Sequence, residues 1–207
     1  MKRIFALLTL VCTVATARAD LVMELSSPSP FGKCDTIIKI KGDKIRQDSF
    51  LNGQKVLSRI INLKTGDDFT VGDSKQITTN SPFLVIQTNS AVVQAKWPKI
   101  QDAGKTEKVN GYEAKIYTWT NSDYFTATLW VAKNFPNFKK IKSDLAKLDK
   151  INDGKWMPKF SSLSGMPLKL LLDASFRTSA ITMTLISANE ESIDDSTFEL
   201  PKDDPRR

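Results

Sequence analysis

Asn52-Gly53 and Asn110-Gly111 are each flanked on both sides by segments in which apolar and polar residues alternate. The two central positions of a type I′ turn need positive φ, which Asn and Gly tolerate, so each pair closes an antiparallel hairpin. Residues 44–50 and 56–63 are expected to pair across the first turn, and 106–109 and 112–119 across the second. The pattern extends beyond both hairpins. A strand begins at Leu21, residues 33–41 alternate with Ile38 and Ile40 inward, and Gly42-Asp43 turns the chain into the 44–50 strand. Lys64-Thr65-Gly66-Asp67 is another turn, followed by short strands at 68–71 and 75–79 that complete a meander. After Asn121-Ser122-Asp123, residues 124–132 alternate with large side chains on both sides, so both faces of that strand are expected to be covered. Ser164-Gly165-Met166-Pro167 breaks the chain before a strand at 168–174, residues 179–187 return, and 194–201 reads as a short edge segment.

Two stretches carry the helical period instead. Ser81-Pro82 has the form of an N-cap with proline at the first helical position, and Phe83, Ile86, Ser90, Val93 and Trp97 follow on one stripe. The competing reading there is a buried strand at 83–86. Phe138, Ile141, Leu145 and Leu148 recur at three- and four-residue steps, with the neighbouring lysines mostly off the stripe, which predicts an amphipathic helix. Strands with two helices give an α+β domain.

Residues 2–19 begin with Lys-Arg, continue through an apolar run and end in Ala17-Arg18-Ala19, the form of a secretory signal cleaved after Ala19. Residues 20–207 are then expected to form one soluble, monomeric domain in the periplasm or outside the cell. The apolar run of about 14 residues is shorter than the roughly 20 needed to span a bilayer. Removing Lys2, Arg3 and Arg18 from the 30 basic residues leaves 27 against 23 acidic, a net +4. That excess is interspersed with Asp and Glu, so the composition argues against a nucleic-acid partner. The basic face of the 138–148 stripe suits at most a peripheral contact with the envelope membrane. Cleavage also leaves Cys34 as the lone cysteine, which excludes an intramolecular disulfide and reads as a small apolar filler.

The chain contains no histidine. Ser-His-Asp and Cys-His catalysis and the usual His-containing zinc sites are therefore excluded. No Gly-x-Ser-x-Gly, Ser-x-x-Lys or phosphate-cradling glycine loop occurs. Asp67-Asp68 with Asp73, and Asp194-Asp195, are the densest carboxylates, and their spacing does not match a calcium loop. No metal, cofactor or catalytic residue is expected. Two carboxylates alone can hydrolyse a glycan, so a His-free glycan hydrolase stays as an alternative.

Five stretches resemble a bacterial exported family known as domain of unknown function 4412. They are Ile40-Lys41-Gly42-Asp43-Lys44-Ile45-Arg46, Ile61-Asn62-Leu63-Lys64-Thr65-Gly66, Leu129-Trp130-Val131-Ala132-Lys133, Leu163-Ser164-Gly165-Met166-Pro167-Leu168-Lys169 and Phe198-Glu199-Leu200-Pro201. The family is similar in plan to lipoprotein carriers of the LolA and LolB type. The resemblance implies a strongly curved antiparallel sheet, a half-barrel, wrapped around helices at 83–97 and 138–148. It also implies a non-enzymatic protein that buries a lipid, or the acyl chain of an acylated protein, in an apolar space. The residues expected to face that space are Ile38, Ile40, Phe83, Ile86, Val93, Trp97, Leu145, Leu170, Leu172, Met183 and Leu185. Arg46 is the candidate for the arginine that latches a carrier's lid. The rival expectation is an envelope protein whose barrel is filled by its own helices, leaving no cavity larger than a few waters.

Overall fold

The computed structural model describes residues 19–29, 32–72, 99–121, 125–151, 157–174, 180–202 and 204. Ten strands form one antiparallel sheet: β1 (Asp20–Ser29), β2 (Gly32–Lys41), β3 (Lys44–Leu51), β4 (Gln54–Asn62), β5 (Asp67–Gly72), β6 (Gln101–Val109), β7 (Tyr112–Asn121), β8 (Phe125–Ala132), β9 (Met166–Ala174) and β10 (Ile181–Glu191). Their spatial order is β5-β4-β3-β2-β1-β10-β9-β8-β7-β6. Each half of the chain is thus a meander, and the halves are joined where the first strand pairs with the last. Asn52 and Asn110 both have φ of 50°, and the following glycines are also positive, as the two hairpin turns require. The outermost strands, β5 and β6, do not pair with each other among the described residues, so the sheet is not closed. Both edges carry charge, Asp67 and Asp68 on one and Asp102, Lys105, Glu107 and Lys108 on the other, which discourages edge-to-edge association.

The class is mostly β rather than α+β. Among the described residues there is one α-helix, α1 (Phe138–Leu148), which buries Phe138, Ile141, Leu145 and Leu148 as its stripe demands. The expected helix over 83–97 and the strand at 75–79 lie outside the described residues. The expected edge segment at 194–201 is instead a 3-10 turn at Asp195–Phe198, because the Asp194 carboxylate accepts from Ser196 N at 2.8 Å and caps it. β6 begins earlier than the alternation suggested. Gly104, with φ of 66°, and the Asp102 carboxylate accepting from Gly104 N carry the chain through an irregular register between Asp102 and Thr106.

Cross-strand register shows where the core sits. Leu21, Ile40, Ile45 and Ile61 form one row across β1 to β4, and Met23, Ile38, Gln47 and Arg59 form the next. Leu25 opposite Leu185, Met183 opposite Leu170 and Leu170 opposite Leu129 continue the same face to β8. β8 is buried on both faces: Ala127, Leu129 and Val131 pack with Trp119 and Leu163, whereas Trp130 and Ala132 pack with Val109, Ala114 and Ile116. Trp130 also donates to Glu107 at 2.8 Å and lies under the Lys169 amine, 4.5 Å from the ring centre. At the β8 end, a Cβ on Gly165 would come within 2.3 Å of the Ala132 carbonyl oxygen. Backbone cannot yield as a side-chain tip can, so Gly165→Ala is expected to cost about 1–3 kcal/mol. A urea midpoint equal to that of the unsubstituted protein would disprove this packing.

The opposite face of β3 and β4 carries Arg46, Asp48, Ser58 and Ile60, which pair across the register and alternate with the core row. The C-terminal segment lies over it. Asp195 is paired with Lys44 at 3.2 Å and Lys41 at 3.5 Å, the Lys41 amine donates to the Ile193 carbonyl, and Phe198 is buried. The hydrogen bond from Lys44 and the nearby Lys41 charge hold the Asp195 carboxyl below its usual range, and bonds from Ser196 do the same for Asp194. A carboxyl depressed in the folded state contributes stability that is complete above its unfolded pKa and lost as pH falls through the lower folded value. Amide exchange over 193–200, corrected for intrinsic rates, is therefore expected to be faster at about pH 3, below the ordinary Asp pKa of about 3.9, than at about pH 5. Equal corrected exchange at the two pH values would contradict this.

Candidate functional site

The sheet bends over α1. β3 and β8 stand five positions apart in the strand order, roughly 24 Å across a flat sheet. Ile45 and Gln47 of β3 nevertheless line the same ≈ 90 Å³ cavity as Leu129 of β8. Met23, Leu25, Ile38, Leu170, Met183 and Leu185 add the sheet wall between them, Met166 and Leu168 extend it, and Leu145 and Leu148 of α1 form the other wall. Ile151, Met157 and Phe160 close one end. Gln47 and Lys169 are the polar residues of this lining, and the Lys169 amine is engaged with Trp130. Four methionines, unbranched and adaptable, give the lining freedom to repack.

α1 is held on the sheet by few polar ties. Its first residue follows Asn137, which is left-handed and makes no side-chain cap, and no acidic residue stands in the first turn. The Lys142 amine donates to the Leu163 carbonyl at 3.0 Å, and the Lys147 amine donates to the Gly42 carbonyl and pairs with the buried Asp144 at 2.7 Å. Asp149, just past the helix, accepts from Phe160 N at 2.6 Å and Ser161 N at 3.1 Å, tying the helix end to the Phe160–Ser162 turn. Most of the attachment is apolar burial, which is non-directional and tolerates sliding better than a hydrogen-bond network does.

The residues singled out from the sequence divide three ways. Ile38, Leu145, Leu170, Met183 and Leu185 line the cavity. Ile40 and Leu172 are buried on the same sheet face but not at the cavity: Ile40 is packed in the Leu21–Ile45–Ile61 row, and Leu172 packs with Ile181 and Trp119. Phe83, Ile86, Val93 and Trp97 lie outside the described residues. Ile45 and Met23 were legible in principle, because the Gly42-Asp43 turn sets Ile45 opposite Ile40 and alternation from Leu21 reaches Met23. Met157 and Phe160 follow no period and gave no signal. Arg46 does not meet α1. It lies on the far face, where it donates to both Asp48 oxygens at 2.9 and 3.0 Å and to the Thr197 carbonyl at 2.7 Å.

Among the described residues, no group of three or more Cys, Asp or Glu is placed to hold a metal, and no helix is long and apolar enough to cross a membrane. Asp67 and Glu199 share a ≈ 260 Å³ cleft on the far face with Ile60, Phe69 and Phe198. The Asp67 carboxylate there accepts from the Thr65 hydroxyl at 2.5 Å, as a turn residue does.

The family profile described as "Domain of unknown function (DUF4412)" matches residues 20–204. The chain belongs to this family. No curated protein matches the sequence. Among solved structures, this DUF4412 chain is similar to MucB, at 12% identity and a TM-score of 0.48, with 89% of this chain and 58% of that one covered. It is also similar to the Pseudomonas aeruginosa MucA/MucB complex, at 11% identity and a TM-score of 0.45, covering 89% and 56%. A third is a putative outer membrane lipoprotein-sorting protein domain from Vibrio parahaemolyticus, at 11% identity and a TM-score of 0.28, covering 88% and 90%. The chain thus spans little more than half of the MucB structures it matches. At these TM-scores the likenesses carry no weight, and the description of the DUF4412 chain rests on its own strand order and cavity.

Proposed function

We propose that this DUF4412 protein is an exported, non-enzymatic binding protein that holds a hydrophobic ligand, a lipid or the acyl chain of an acylated protein, between α1 and the bent sheet of a half-barrel. The observation that supports it is the apolar cavity under α1, walled by six strands and elements of helix and turn, with one uncommitted polar side chain, Gln47. Each methylene moved from water into such a space contributes about 0.8 kcal/mol. The ≈ 90 Å³ present is smaller than the ~150 Å³ apolar cavity that admits benzene. Binding an acyl chain therefore requires α1 to lift or slide, which its weak N-terminal capping and few polar ties permit. Residues 1–19 act as the cleaved signal, and the working place is the periplasm or the exterior.

The small resting volume also favours a second reading, an envelope interaction protein whose sheet is filled by its own side chains. Native mass spectrometry of the mature protein purified from a bacterial periplasm separates the two. A lipid-mass adduct removed by organic extraction is the expected result. A clean apo mass, repeated after incubation with phospholipid and acylated peptide, would exclude the binding role and leave the interaction role.

A further inference from the structure

Along the cavity face of β1 to β4, side-chain character changes in one direction. The row Leu21–Ile40–Ile45–Ile61 is wholly apolar, and the next, Met23–Ile38–Gln47–Arg59, ends in an amide and a guanidinium that is paired with Asp68. Beyond it come Leu25–Thr36–Ser49–Leu57 and then Ser27–Cys34–Leu51. Leu25 and Gln47 line the cavity, so Ser27 and Ser49 are each the next residue on the same face, two positions along their strands. Both serines are 4% exposed, and among the described residues neither hydroxyl has a hydrogen-bond partner.

A buried hydroxyl without a partner is costly, and each such group in a native protein calls for an explanation. Two of them at one end of an apolar cavity, on the face that leads into it, are explained by a ligand that supplies acceptors there. The two outer rows carry no charged side chain, and Arg59 in the row before them is engaged by Asp68. A neutral oxygen therefore suits them better than a phosphate or carboxylate, whose burial needs a paired charge.

We infer that Ser27 and Ser49 form the polar end of the ligand site, where each hydroxyl donates to a different neutral oxygen in the ester- or amide-bearing head of an acyl chain whose hydrocarbon lies under α1. This rests on the hydrophobic-ligand reading above and adds the class of ligand, an acyl chain with a neutral carbonyl head rather than a bare hydrocarbon.

The test compares the mature protein with the Ser27→Ala/Ser49→Ala double variant, using hexadecane, monopalmitoylglycerol and a palmitoylated cysteinyl peptide as probes in displacement of an apolar dye. The unsubstituted protein is expected to prefer at least one carbonyl-bearing probe over hexadecane by about tenfold, as two hydrogen bonds would give. The double variant should lose that preference and keep its hexadecane affinity. Its ligand-free melting temperature should be unchanged or higher, since the substitutions remove unsatisfied groups. Which palmitoylated probe shows the preference identifies free lipid or acylated protein as the source. Equal preference in both proteins, or a ligand-free variant that melts several degrees lower, overturns the inference while leaving hydrophobic binding intact. Failure of the unsubstituted protein to bind any probe overturns both.

Discussion

Replacing Asp48 with alanine is expected to destabilise the protein by roughly 3 kcal/mol, far more than an ordinary ion pair at a sheet surface. Asp48 is 7% exposed and accepts from Arg46 Nε and from the Ser58 hydroxyl, the latter at 2.5 Å. Arg46 also donates to the Ser58 hydroxyl and to the Thr197 carbonyl. Removing the carboxylate leaves a guanidinium that is largely covered yet has lost its counter-charge, and the penalty comes mainly from that stranded charge. It also loosens the C-terminal segment, because Arg46 is the group that carries the contact from β3 to Thr197. Two signatures should therefore appear together: a lower urea midpoint and faster amide exchange over 193–200. A loss below about 1 kcal/mol, the range of exposed pairs, would show that water reaches the pair and that the segment is held by Phe198 and the lysines alone.

The same residues show how far the sequence could be read. Asn-Gly turns have few conformational options, so the hairpins β3–β4 and β6–β7 and their inward rows follow from local chemistry. The α1 stripe is equally local, and all four of its apolar positions are buried. Pairing of β1 with β10 joins segments some 160 residues apart, and no local pattern specifies which distant strand completes a ladder. The Arg46 clasp was illegible for that reason, because its meaning depends on Thr197 folding back over β3. At the cavity, strand phase was readable and depth was not. Ile38 and Ile40 share a face, but only the three-dimensional bend puts one at the cavity and the other in the filled row beside it. The closing wall at Met157 and Phe160 comes from irregular backbone, where periodicity says nothing.

Leu145→Ala is the substitution expected to bear most directly on function. Leu145 is 1% exposed and is, with Leu148, one of the two α1 side chains that stand over the sheet wall of the cavity. Truncation to alanine is expected to cost about 2–5 kcal/mol, the spread reflecting how far the space collapses. Here collapse is restrained, because the opposing wall is a hydrogen-bonded sheet and the C-terminal part of the helix, on which Leu145 stands, is tied by Lys142, Lys147 and Asp149. The variant should therefore keep an enlarged apolar void next to the existing one. A binding protein and a self-filled protein then part ways. If lipid enters under α1, a ligand that binds only the folded state stabilises by RT ln(1 + [L]/Kd), about 2.7 kcal/mol at a hundredfold excess over Kd. Added monoacyl lipid below its micelle concentration should accordingly recover much of the lost melting temperature, and more in Leu145→Ala than in the unsubstituted protein. If the sheet serves only to house its own side chains, the variant melts low with or without lipid. That second outcome would leave α1 as a fixed plug and the cavity as a packing defect.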